Sequence, residues 1–184
     1  MTPAVVQAEA AERQTAVRRG VRLEIMTVGW NSLEAVIAVL AGLAAGSIAL
    51  VGFGLDSVIE VSSGAVLLWR LRAEQRGGPG ERAERVALRL VGVSFLALAA
   101  YVATDAAWSL WRRDVPQESY VGIALAVLSL MVMPLLARSK RRVAARLRSA
   151  ALHADSRQTD ICAYLSAILL GGLLLNAWMG WWWA

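Results

Sequence analysis

Residues 46–60 read GSIALVGFGLDSVIE, and two acids four residues apart, Asp56 and Glu60, interrupt a stretch otherwise apolar enough for the interior of a bilayer. On an α-helix an i, i+4 spacing stacks the two carboxylates on one face, about 6 Å apart along the axis at 1.5 Å rise per residue. Two like charges in a low-dielectric setting are costly. The pair must therefore be protonated, matched by a cation or turned to a water-filled cavity. Each solution makes this stretch a cation or proton site on a helix inside a membrane bundle.

The composition agrees with that reading. Apolar residues make up 58% of the chain, mean hydropathy is +0.52, and the charges gather between long apolar runs. A bilayer core of about 30 Å takes roughly 20 apolar residues per helix. Five or so crossings, expected at 25–45, 48–71, 86–110, 120–137 and 149–174, use most of the 184 residues. The expected fold class is an all-α, polytopic membrane bundle. Residues 1–24 form a partly helical cytoplasmic tail with no apolar core of a signal peptide, and 25–184 form the transmembrane domain.

The net charge of +5 does not signal nucleic acid, because the basic residues lie in short connectors beside apolar runs. The amino-terminal tail, the 70–89 connector and the 138–148 connector hold 4, 6 and 6 basic residues, against none at 46–47 and two at 112–113. Positive charge marks the cytoplasmic side, so the amino terminus is expected inside and the 46–47 and 112–118 loops outside. The lone Cys162 excludes an internal disulfide and a multi-cysteine zinc site. GGPG at 77–80 lacks the Lys-Ser/Thr of a phosphate loop, and no HExxH or paired nucleophile and base points to an enzyme or a prosthetic group.

Other polar residues interrupt the crossings. Asn31 and Glu34 lie one turn apart on the first and should face protein or water; Glu34 reads either as a carboxyl bonding a neighbouring helix or as an ion contact. Ser57, Ser62, Ser63 and Gly64 on the second are small enough to let another helix approach. Asp105, beside Trp108 and Trp111, reads as interfacial, and Pro134 is placed to kink the fourth crossing. The fifth begins ALHADSRQTDICAY, where His153, Ser156 and Asp160 lie close to one face and Asp155 projects about 100° from Ser156. His153, in the basic margin, reads as solvated, and Arg157 needs Asp160 or Asp155 as a partner. The terminal LNAWMGWWWA is either an aromatic belt or the end of one long helix from Ile161 to Ala184.

This arrangement resembles the transmembrane part of the cation diffusion facilitator family of metal-ion/proton exchangers, over most of Ile25–Ala184. GSIALVGFGLDSVIE resembles the family's Gly-Ser hairpin, Gly-Leu pair and two ligands four residues apart, with Asp56 and Glu60 at the ligand positions. ADSRQTD resembles the second i, i+4 ligand pair, with Asp160 at its second member and Ser156 at its first, where histidine or aspartate is usual; Asp155 is the alternative oxygen. GWWWA resembles the start of the family's sixth helix, so the chain resembles a truncated or minimal member lacking that helix and the cytoplasmic metal-binding domain.

The resemblance implies a homodimer in the cell membrane with a metal site between the second and fifth helices, built from Asp56, Glu60, Asp155, Ser156 and Asp160. It further implies a divalent cation exchanged for protons, with Asn31 and Glu34 as an auxiliary polar face. An all-oxygen ligand set suits harder cations such as manganese better than a histidine-containing one does. The competing expectation, from the Ser156 departure and the absent sixth helix, is a non-transporting scaffold or regulatory subunit.

Overall fold

A computed structural model of the chain describes residues 3–76, 80–112 and 119–180. It is a bundle of five helices: α1 (Pro3–Ala45), α2 (Ile48–Gln75), α3 (Gly80–Arg112), α4 (Tyr120–Leu147) and α5 (Ala150–Met179). Three of them start in the same way. Ser47, Ser119 and Ser149 are extended, and each hydroxyl accepts the N–H three residues on, from Leu50, Gly122 and Leu152. Such an N-cap satisfies one of the four amides that a helix start leaves free.

The 46–47 connector is the tight hairpin expected. Gly46 takes φ +61, a left-handed conformation in which glycine meets no Cβ penalty, and Ser47 N–H bonds back to the Gly42 carbonyl at 2.9 Å. The two helices then run close together. A Cβ at Gly54 would lie 2.7 Å from a Val39 methyl and 3.1 Å from the Ala35 carbonyl, so only glycine permits this approach of α2 to α1.

Helix α2 is central, packing on α1, α3 and α5, while α4 packs on α5 and α1. The bundle is polar inside and apolar outside. Leu33, Val36, Leu40 and Leu43 of α1, Leu96 of α3, Met131 and Leu135 of α4 and Ile168 of α5 point outward. Glu24, Asn31, Glu34, Asp56, Glu60, Lys140, Asp155 and Gln158 are buried. Water would favour the reverse; lipid favours this. Four helices, α1, α2, α4 and α5, are long and apolar enough to cross a membrane, and the protein is an all-α integral membrane bundle. Apolar clusters close its two ends: Leu67, Leu71, Val143, Leu147 and Leu152 near the basic connectors, and Ala38, Leu50, Phe53 and Leu125 near the hairpin.

Several helices run past the bounds expected of their crossings. The tail and the first crossing are one uninterrupted helix of 43 residues, about 64 Å long. The segment 138–148, read as a basic connector, is largely the end of α4, which passes through Pro134 and continues to Leu147. A dense run of basic residues therefore does not mark where this helix stops. The fifth crossing is one helix ending at Gly180, whose φ of 67 terminates it. The Asp105 side chain, Gly77, Gly78 and Pro79, the loop at 113–118 and Trp181–Trp183 lie outside the described residues.

Candidate metal-cation site

The antiparallel register of α2 and α5 determines which side chains meet. Ser63 Oγ donates to Asp155 Oδ1 at 2.9 Å, and one turn further along Thr159 Oγ1 donates to Glu60 Oε1 at 2.7 Å. One more turn brings Cys162 beside Asp56, with Glu60 and Glu34 as the other nearby acids. The face of α5 toward the α2 acids therefore carries Asp155, Thr159 and Cys162.

The pair Ser156 and Asp160 does not lie on that face. Ser156 is buried, but its hydroxyl turns back onto its own helix and donates to the His153 carbonyl at 2.6 Å. Asp160 is paired with Arg141 of α4 at 3.0 Å, with 22% of its side chain exposed. One residue is 100° of rotation. Moving the i, i+4 pair back by one, to Asp155 and Thr159, brings it round to α2. Arg157 and His153 are exposed, and both acids expected as partners for Arg157 are engaged by other cations.

Helix α1 contributes a stripe rather than two isolated residues. Glu24, Thr27, Asn31 and Glu34 are all buried at spacings of three and four, which keeps them on one face. Glu34 accepts from Ser57 Oγ at 2.9 Å, and Asn31 donates to the Thr27 carbonyl at 3.0 Å. The sequence points to Asn31 and Glu34 alone; Glu24 falls within the expected amino-terminal tail, yet it lies on the same buried face.

Lys140, which the sequence places in the basic 138–148 connector, joins the same layer. Fully buried, it reaches in from α4 to an ion pair with Asp155 and another with Glu24 Oε2 at 3.2 Å, and its Nζ lies 3.4 Å from Thr159 Oγ1. Even so, acids outnumber cations in this layer. Asp56 Oδ2, Glu60 Oε2, Glu34 Oε1, Asn31 Oδ1 and both polar atoms of Gln158 are buried with no hydrogen-bond partner. Such an atom costs about 1–3 kcal/mol, more if charged, so the layer is built at a cost that packing does not explain. Among the described residues no three His, Cys, Asp or Glu side chains are gathered to hold a metal ion. Asp56 and Glu60 lie one helical turn apart, each with one buried oxygen that has no hydrogen-bond partner.

Residues 25–183 match the sequence model of the cation efflux transmembrane domain. A comparison with curated proteins finds no match.

Proposed function

The chain belongs to the cation efflux family, a family of transporters rather than enzymes, and we propose that it exchanges a divalent metal cation for protons at Asp56 and Glu60. Its coarser activity, metal cation efflux of the cation diffusion facilitator kind, follows from that membership. One observation carries the finer reading: Asp56 Oδ2 and Glu60 Oε2 are buried, one helical turn apart and without protein partners. Carboxylates bind a cation when ionised and release it when protonated, so a proton gradient can drive exchange. Thr159 and Asp155 of α5, rather than Ser156 and Asp160, complete the donor set on this reading, with the Cys162 thiol beside Asp56.

Orientation follows from the same end of several helices. Arg13 of α1 pairs with Glu74 of α2 at 2.8 Å, Arg70 with Glu84 of α3 at 2.8 Å, and Glu84 accepts from Ser149 and Ala151 at the start of α5. The arginine-rich segments thus share one end, which we assign to the cytoplasm. Helix α3 is taken as a fifth crossing through its uncharged 90–104 stretch, and a homodimer as the working unit. Single cysteines at Gly78 and Gln117, in a background lacking Cys162, should label from opposite sides.

The test of function is cation flux in proteoliposomes with an imposed proton gradient. Wild type should exchange zinc or manganese for protons, and Asp56→Asn with Glu60→Gln should stop it. Equal flux in the double variant would remove the site. The alternative of a non-transporting scaffold has one observation in its favour, the Lys140 ammonium lying among the acids; absence of flux in wild type with its helical content intact would favour it.

A further inference from the structure

We propose that Lys140 is a tethered cation that competes with the transported ion for the α5 side of the site. The inference rests on the Asp56–Glu60 reading above. Lys140 is the chain's sole lysine and is 0% exposed. Every helix packed around it presents an acid or an oxygen: Glu24 from α1, Glu60 from α2 through the Thr159 hydroxyl, and Asp155 and Thr159 from α5. Thr159 joins the two halves of the site, accepting from Lys140 at 3.4 Å while donating to Glu60 at 2.7 Å.

An ammonium and a divalent cation cannot both occupy this cluster at contact distance, since like charges at low dielectric repel strongly. Engagement of Asp155 and Thr159 by the ion therefore displaces Lys140. The side chain is suited to that. Four methylenes carry a compact charge, and α4 ends seven residues beyond, at Leu147, so the head can move toward the polar end of the bundle while its stem stays in apolar surroundings. Between ions Lys140 returns and neutralises acids whose uncompensated charge would oppose passage through the bilayer. It thereby sets cation affinity without being a ligand.

The neighbouring Arg141 does not take this role, because it pairs with Asp160 away from α2 and is 38% exposed. A purely architectural Lys140 makes the opposite predictions. It would remain in place when the ion binds, and its loss would weaken the site by disordering it.

The test uses the full chain in nanodiscs, with zinc chloride and manganese chloride as probes. Lys140→Met should bind the ion about tenfold more tightly than wild type, within the usual range of coupling factors, and Lys140→Arg should not. Unchanged or weaker binding in folded Lys140→Met would overturn the proposal. A second arm needs no variant: acetic anhydride labelling of wild-type Lys140, read by mass spectrometry against the amino-terminal amine, should rise several-fold at saturating ion. Labelling that ignores the ion also overturns it. If Asp56→Asn with Glu60→Gln abolishes ion binding while Lys140 stays insensitive, the competitor fails and the site stands. If neither wild type nor Lys140→Met binds the ion, both fall.

Discussion

Two charged regions of this bundle are built to different rules. At the basic end Arg13, Arg70, Glu74 and Glu84 each have an opposite charge within 3.0 Å, and Glu84 also closes the start of α5 through the Ser149 hydroxyl and the Ala151 amide. The interior layer holds five buried acids, Glu24, Glu34, Asp56, Glu60 and Asp155; Lys140 pairs with Glu24 and Asp155, and several of the acids' oxygens lack a hydrogen-bond partner. The first is charge used as architecture, tying four helices together where they meet water. The second is an excess of acid held in the costliest surroundings, and it carries the cation site proposed above.

The comparison breaks most directly at the clamp. Arg70→Met leaves Glu84 without its cationic partner and Glu74 with Arg13 alone, beside a largely buried position, and should lower stability by about 3 kcal/mol, as loss of one partner of a buried pair does. Thermal unfolding in detergent would show this. Metal affinity of the surviving folded protein should stay within about twofold of wild type, because the site lies several turns away. A large affinity loss would mean that the two regions are one.

The interior layer should respond in the opposite way. Asp56→Asn with Glu60→Gln should weaken zinc or manganese binding by about a hundredfold, two lost charge contacts of about 1.4 kcal/mol each. Its melting temperature should hold or rise, since the variant removes charge from a buried position. Wild-type binding should weaken as pH falls, because protons and cation compete for the same oxygens, and titration calorimetry at two pH values checks the sign. A melting temperature that drops as far as that of Arg70→Met would place this layer with the architecture.

Smaller effects sharpen the register on α5. Thr159→Val removes the hydroxyl between Glu60 and Lys140 and should weaken binding about fivefold, in line with one buried hydrogen bond of about 1 kcal/mol. Asp160→Asn loses only a partly exposed pair with Arg141 and should change affinity by less than about twofold. The reverse ranking would restore Ser156 and Asp160 to the face toward α2.

The sequence by itself determined that the chain is a helical membrane protein, that Gly46–Ser47 is a hairpin, and that Asp56 and Glu60 share a face. Those features are local: hydropathy over about 20 residues, a two-residue turn, and an i, i+4 spacing that a 3.6-residue period resolves without reference to any neighbour. Only the tertiary structure decided which side of α5 meets α2, since Asp155–Thr159 and Ser156–Asp160 have the same spacing and differ by a rotation of 100° that interhelical packing sets. Only the tertiary structure, likewise, moved Lys140 and Glu24 from apparent connector and tail into the interior. In the sequence they belong to a basic run and an amino-terminal segment; in the fold each meets the other's charge across α1 and α4, more than a hundred residues apart along the chain. The buried Lys140 ammonium is stabilised by such partners, and their arrival is a property of the assembled bundle.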